Sequence, residues 1–213
     1  MRNLGIVHTI HILGNGIHLK NLKKNFLVTI IMDNQIELRQ LDIEKDLPFF
    51  HRAHSDADSM RFYGMHEFKS IDDSRKLMLE YIASEQNNKS IHRVICNPQN
   101  KEYMGGIGIS NIHPIHHRAD AYCILLPEYR KKGVSIEASV LLYRNVFEQL
   151  HINRIQALVD SRNENARKSL IGIGFIYEGK LHQYEFENGE YIDIEVFSLT
   201  KTQFCVLYGF DTK

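Results

Sequence analysis

Apolar residues along the chain recur with two periods, and the changes of period divide it into elements. Residues 35–41 alternate and read as a first strand. Residues 46–54 keep helical spacing, with Pro48 in the opening turn, where a missing N–H costs little. Ser70-Ile71-Asp72-Asp73 resembles a capping box and opens a helix to about Ser84, with Leu77, Met78, Tyr81 and Ile82 on one face. Residues 91–96 and 103–112 read as partner strands around the turn at 97–100. Gly105, Gly106 and Gly108 inside the second of these mark a bulge or a close approach. A strand at 121–126 precedes a helix at 136–150, whose apolar face is Ala138, Leu141, Leu142, Val146 and Leu150. Ile155, Ala157 and Val159 alternate in a strand, and residues 163–171 read as a helix that Gly174 stops before Phe175 enters the core. Residues 181–186 and 191–199 flank Asn188-Gly189, a strong type I′ hairpin signal. Strands and helices interleave without repeats or low-complexity linkers, which predicts an α/β fold.

Composition narrows the partners. The 26 basic and 26 acidic residues cancel, so no global basic field argues for nucleic acid. A chain of 213 residues, 43% hydrophobic, suits one globular domain with a sizeable core. Cys96, Cys123 and Cys205 are odd in number and lack C-x-x-C spacing. That argues against a disulfide framework or a cysteine-rich zinc site and fits a reducing, cytoplasmic setting. The apolar runs at 4–13 and 26–32 are shorter than the roughly 20 residues of a membrane helix. They also lack the pattern of a secretory signal, so no membrane is expected.

The densest candidate chemistry is Tyr129-Arg130-Lys131-Lys132-Gly133-Val134-Ser135, between a strand and a helix. A helix start carries unpaired N–H groups and partial positive charge, so this order can make an anion site. Gly133 permits a tight turn and close approach of a phosphate, while Arg130, Lys131 and Lys132 add charge. Neither G-x-x-x-x-G-K-[ST] nor G-x-G-x-x-G occurs here, which disfavours Walker and Rossmann sites. By itself the loop reads equally well as a basic surface turn.

The run Asn163-Glu164-Asn165-Ala166-Arg167-Lys168-Ser169-Leu170-Ile171-Gly172-Ile173-Gly174-Phe175-Ile176-Tyr177-Glu178-Gly179 breaks that tie. It resembles the N-x-x-[AS]…G-F…E-G signature of the GNAT N-acetyltransferases. The basic loop resembles that family's [QR]-x-x-G-x-[GA] pyrophosphate loop, with Ser135 where Gly or Ala is usual. The similarity runs over residues 36–199. It is nearest to the RimJ/RimL-like branch, which acetylates protein N-termini, with polyamine acetyltransferases next. The resemblance implies the GNAT acyl-CoA N-acyltransferase fold: a mixed, mostly antiparallel sheet splayed at the cofactor cleft and flanked by helices. It implies acetyl-CoA as co-substrate, no metal, and direct transfer to an amine acceptor in a ternary complex. The implied catalytic domain is 32–202, with an extension at 1–31 outside the catalytic fold and a tail at 203–213. A hydrophobic arm packed on the domain or on a second subunit is the alternative for the extension, and a homodimer stays open.

By the same resemblance, Arg130, Lys131, Lys132, Gly133, Val134 and Ser135 hold the pyrophosphate. The backbone of Ile124, Leu125 and Leu126 pairs with the pantetheine arm, and a free N–H near Leu125 serves as oxyanion donor. Asn163 caps the following helix, bonds the pantetheine arm, or does both. Glu185 stands where the RimJ/RimL-like branch carries a carboxylate as its proposed base. Alternation puts Gln183 and Glu185 on one strand face and His182, Tyr184 and Phe186 on the other. An exposed cross-strand charge is the structural alternative for Glu185. The usual acids are missing: Leu170 stands at the family's Tyr position and Ala166 at the RimL-type Ser position. Ser169 is close in sequence but at another helical phase. Tyr63 and His66 lie in the segment resembling the wall of the acceptor cleft and are candidate substrate contacts, with aromatic packing as the alternative. His113, His116 and His117 lack a cysteine or carboxylate to complete a metal set.

The expected acceptor is a protein N-terminal α-amine. A polyamine or aminoglycoside is the alternative, disfavoured by the mixed charge of residues 52–76. A non-enzymatic acyl-CoA-binding module is a third reading, which the missing acid permits.

Overall fold

The computed structural model describes residues 9–10, 29–30, 35–187 and 189–210. Its main sheet has seven strands: Glu37–Arg39 (β3), Ile91–Cys96 (β4), Tyr103–His113 (β5), Arg118–Leu125 (β6), Arg154–Asp160 (β7), Ile176–Glu187 (β8) and Glu190–Thr200 (β9). Thr9–Ile10 (β1) and Thr29–Ile30 (β2) form a separate parallel pair. The strand order is β3-β4-β5-β6-β7-β9-β8, antiparallel at every junction except the parallel β6–β7 contact. Apart from β1 and β2, residues 1–31 lie outside the described residues, and so does the expectation of an extension there.

Helices Ile43–Ser55 (α1), Ala57–Met60 (α2) and Ile71–Gln86 (α3) accompany the first half of the sheet. Leu47 and Phe50 of α1 meet Met78 of α3, while Ala53 and Met60 join Val94, Tyr103, Ile124 and Leu126. A larger apolar cluster gathers Val134–Gln149 (α4), Glu164–Ile173 (α5) and Lys201–Tyr208 (α6) around Ile107, Ile155, Phe197 and Leu199.

Local chemistry sets the helix ends. Asp42 accepts from the N–H groups of Glu44 and Lys45, so α1 begins earlier than residue 46 and Pro48 falls in its second turn. Arg39 reaches back to the buried Asp46 carboxylate with two bonds, 2.7 and 2.5 Å, tying β3 to α1. The Ser70–Asp73 capping box is complete in both directions. Gly133, at φ +80°, turns the chain into α4, which starts at Val134. The buried face of α4 is broader than the expected stripe, adding Val140, Tyr143 and Phe147, whereas Leu141 and Leu150 are only half-buried. Gly174 ends α5 in the left-handed region and Phe175 is buried.

In β5 Gly105 and Gly108 serve close approach. A Cβ at Gly108 would lie 2.3 Å from the Ile91 carbonyl and 2.4 Å from the Tyr122 ring. The Tyr122 ring therefore crosses Gly108 and bonds His92 on β4 at 2.6 Å.

Two expectations need correction. The β8–β9 hairpin closes by pairing Glu187 with Glu190, but β8 does not alternate simply between Leu181 and Glu185. Leu181 faces Ile194 and Glu185 faces Ile192, so β8 bulges, with Gln183 at φ +52°. Asn188 of the turn lies outside the described residues, and Gly189 has φ +86°. The reading of 203–213 as a tail fails over 203–208. Those residues belong to α6, capped by Thr200 and Gln203, and Phe204 is 1% exposed in the core against Phe147. The burial of one aromatic outweighs the weak periodicity of a short helix.

Among the described residues no helix is long and apolar enough to cross a membrane. Phe204→Ala is expected to cost about 3–5 kcal/mol in urea unfolding, the range for deleting a buried phenyl group. A loss below about 0.5 kcal/mol, the scale of a surface change, would return α6 to the status of a tail.

Candidate functional site

The site begins where β6 and β7 part. They pair only at Arg118–Arg154, Ala119–Ile155 and Asp120–Gln156, and β6 then runs on against β5 alone. The Leu126 N–H donates to the Met104 carbonyl at 3.0 Å. In an antiparallel ladder that phase assigns Ile124 and Leu126 to the β5 side and turns Leu125 and Cys123 toward the gap. Of the three residues expected to meet a pantetheine arm, Leu125 is thus the one whose N–H faces the opening. Its carbonyl accepts from Arg130 Nε at 3.2 Å. The Ile124 and Leu126 side chains are buried on the α1 side.

The basic loop closes the lower end of the gap. Pro127–Tyr129 forms one 3₁₀ turn, and Lys131 takes the left-handed region at φ +60°. The first helical bonds of α4 run from Ile136 and Glu137 to the Gly133 carbonyl, so the preceding Val134 and Ser135 N–H groups point out of the helix end. Lys131 and Lys132 are exposed, with the Lys132 ammonium 5.9 Å from the Tyr129 ring centroid. Arg130 is turned inward. Its guanidinium bonds Asp56 at 3.0 Å and also the Ser59 hydroxyl, stapling the loop to the start of α2. Asn163 caps α5 by accepting from the Ala166 N–H at 3.0 Å. The cap uses Oδ1; the Nδ2 group is the donor that a pantetheine contact requires.

Beyond β7 and β9, the edge strand β8 carries carboxylates. Glu185 and Glu187 share one strand face, because spacing of two survives beyond the bulge. Burial, the charge of Glu187 and a hydrogen bond to it, and the nearby Asp160 raise the pKa of Glu185 above the ordinary carboxylate value. Both carboxylates reach Gly64: a Cβ there would lie 3.3 Å from Glu187 and 4.0 Å from Glu185. Gly64 has φ +69°, so the 61–66 segment passes the pair in a conformation that disfavours a side chain. Tyr63 turns its hydroxyl inward, where burial drives its pKa well up, and its ring meets His54 edge-on at 6.1 Å. His66 is exposed. Glu187 and Gly64 were missed from sequence, although the Glu-x-Glu spacing on a strand was there to be read.

This arrangement has counterparts. Residues 35–176 match the acetyltransferase (GNAT) domain family, two-thirds of the chain. The chain belongs to the GNAT acetyltransferases. It is 28% identical over 172 residues to the uncharacterised N-acetyltransferase YoaA of Bacillus subtilis, covering 81% of this chain and 97% of that one. It is 29% identical over 99 residues to the putative ribosomal N-acetyltransferase YdaF of Bacillus subtilis, covering 46% and 54%. The structure of spermidine N-acetyltransferase from Vibrio cholerae in complex with CoA and spermine superposes with a TM-score of 0.72 at 25% identity, covering 81% and 99%.

This acetyltransferase uses acetyl-CoA as co-substrate. The parted strands, the outward Leu125 N–H and the open start of α4 fit that molecule. At the acid positions, Leu170 is a core residue and Ala166 packs against the core, so neither supplies a proton. Ser169 lies instead beside the start of α4: its hydroxyl is 3.0 Å from that of Ser135.

Glu187→Gln is expected to move the acid limb of kcat/KM to lower pH. Removing a charge that opposes ionisation of Glu185 lowers its pKa, so its carboxylate forms earlier as pH rises. An unmoved limb would mean that Glu185 is not the group being titrated.

Proposed function

We propose that this acetyltransferase transfers the acetyl group of acetyl-CoA to a protein N-terminal α-amine, with Glu185 as base. The observation that carries the reading is the half-buried Glu185 carboxyl with its raised pKa, on β8 near Asp160 at the end of β7. An α-amine has a pKa near 8 and a polyamine amine nearer 10.4. A carboxylate only moderately raised deprotonates the first with much less uphill work. The amine approaches past Gly64, and Glu185 takes its proton directly or through a water. The Leu125 N–H bonds the oxyanion that develops at the acetyl carbonyl, and the loop from Lys131 to Ser135 holds the pyrophosphate. With Leu170 and Ala166 at the acid positions, the thiolate leaves unassisted and takes its proton from water. A cytoplasmic setting accords with an odd number of cysteines that lack C-x-x-C spacing.

One observation favours a second reading. The Glu185–Glu187 pair at Gly64 is suited to a cation, and a polyamine acceptor would use both carboxylates. Likeness to a spermidine acetyltransferase points the same way.

A panel of peptides with free N-termini, run beside spermidine, separates the two. Peptide turnover is expected to exceed that of spermidine by at least about tenfold in kcat/KM, a difference of ~1.4 kcal/mol in transition-state stabilisation. Robust spermidine turnover with idle peptides would reverse the assignment. On the preferred acceptor, Glu185→Gln is expected to lower kcat about 100-fold at neutral pH, and much less at high pH, where the amine is already neutral. Equal loss at every pH would remove Glu185 as the base.

A further inference from the structure

The basic loop holds one feature that the loop pattern does not require. Ser135, where the resembled motif has Gly or Ala, lies in the first turn of α4 and meets Ser169 of α5, hydroxyl to hydroxyl, at 3.0 Å. Both side chains are half-buried.

We propose that Ser169 is a positioning residue of the donor site, holding the Ser135 hydroxyl so that the pair presents one O–H to the phosphate oxygens of acetyl-CoA. The proposal rests on the reading of the α4 start as the pyrophosphate site. A hydroxyl carries one donor and two acceptor lone pairs. When two hydroxyls bond each other, one O–H is used inside the pair and the other remains to donate outward. At the start of α4 the outward direction is shared with the Val134 and Ser135 N–H groups and the positive end of the helix dipole, which favour an anion. With Ser169 donating to Ser135, the Ser135 proton is directed to that anion.

Helix docking does not need the pair. Gly172 of α5 already seats against Ile136 of α4, where a Cβ would come within 3.2 Å of the Ile136 side chain. The Ser169 hydroxyl is therefore free for a polar task. Leu170, the next residue, is buried in the core and fixes the rotation of α5 that aims Ser169 at Ser135.

The test is calorimetric titration of coenzyme A, and separately of inorganic pyrophosphate as a probe of the phosphate end, into the full chain. Ser135→Ala is expected to weaken both about tenfold, the worth of a hydrogen bond to a charged group. Ser169→Ala is expected to weaken both several-fold. The double variant should bind no more weakly than Ser135→Ala alone, because Ser169 acts through Ser135. Ser169→Thr, which keeps the hydroxyl, should restore binding. In turnover, Ser169→Ala should raise the KM for acetyl-CoA and leave kcat unchanged.

A purely interhelical bond would lower the melting temperature and leave both affinities at wild-type values, which overturns the proposal. So would losses that add in the double variant. Wild-type protein that binds coenzyme A, with Ser169→Ala binding equally, sinks the hydroxyl pair and leaves the donor site standing. Wild-type protein that binds no coenzyme A overturns the donor-site reading, and this proposal with it.

Discussion

Backbone groups inside a sheet must be paired, and this sheet has a place where they part. β6 and β7 share a parallel ladder at one end and diverge over the rest of their length. The exposed edge of β6 would be a liability if it were not used. Here β6 leads at the open end into the turn at Gly133 and the start of α4, and Asp160 at the end of β7 lies near enough to Glu185 of β8 to raise its pKa. The outward N–H of Leu125 takes its position from that divergence, whereas the face carrying Glu185 is set by the β8–β9 register.

Holding β6 straight while its neighbour leaves requires support from the other side. β5 supplies it, with a ladder running from Gly105–Leu125 to Ser110–Asp120. The absence of side chains at Gly105 and Gly108 lets β6 and Tyr122 lie close. The Tyr122 hydroxyl then anchors on His92, which stacks on Tyr81 of α3 at 3.8 Å. Burial pushes the His92 pKa down to about 4, so this anchor is neutral at physiological pH. Arg130 adds a second brace by joining the Leu125 carbonyl to Asp56 and Ser59. It is a basic residue of the loop before α4 whose charge is directed into the structure, and Lys131 and Lys132 carry the exposed charge.

The β8 strand follows a different logic. The bulge around Gln183 adds residues to β8 that β9 does not match, then restores regular pairing before Glu185. Beyond it, Glu185 and Glu187 stand side by side against Gly64. Two like charges at close range oppose joint ionisation, which is the condition for a carboxylate with basic character. The same pair would welcome a second positive charge, so one geometry serves both acceptor readings.

Much of this was legible in the chain itself. The capping box at Ser70 and Asp73, the Asn163 cap, the Gly174 stop and the hairpin at 187–190 are short-range features, decided by residues within a few positions of one another. The two motifs around Gly133 and Asn163 named the family for the same reason. The regular alternation assumed across Gln183 was not sound, because a bulge depends on the register of the partner strand. Nor could sequence reveal that Arg130 turns inward, that Tyr63 buries its hydroxyl, that Phe204 belongs to the core, or that Ser135 and Ser169 meet. Each joins residues far apart in the chain, and local spacing carries no information about which distant group fills the space beside a side chain. The sequence determined the elements and the family; tertiary packing alone decided which backbone amide faces the gap, because that choice depends on the phase of a ladder between strands and on where two of them cease to pair.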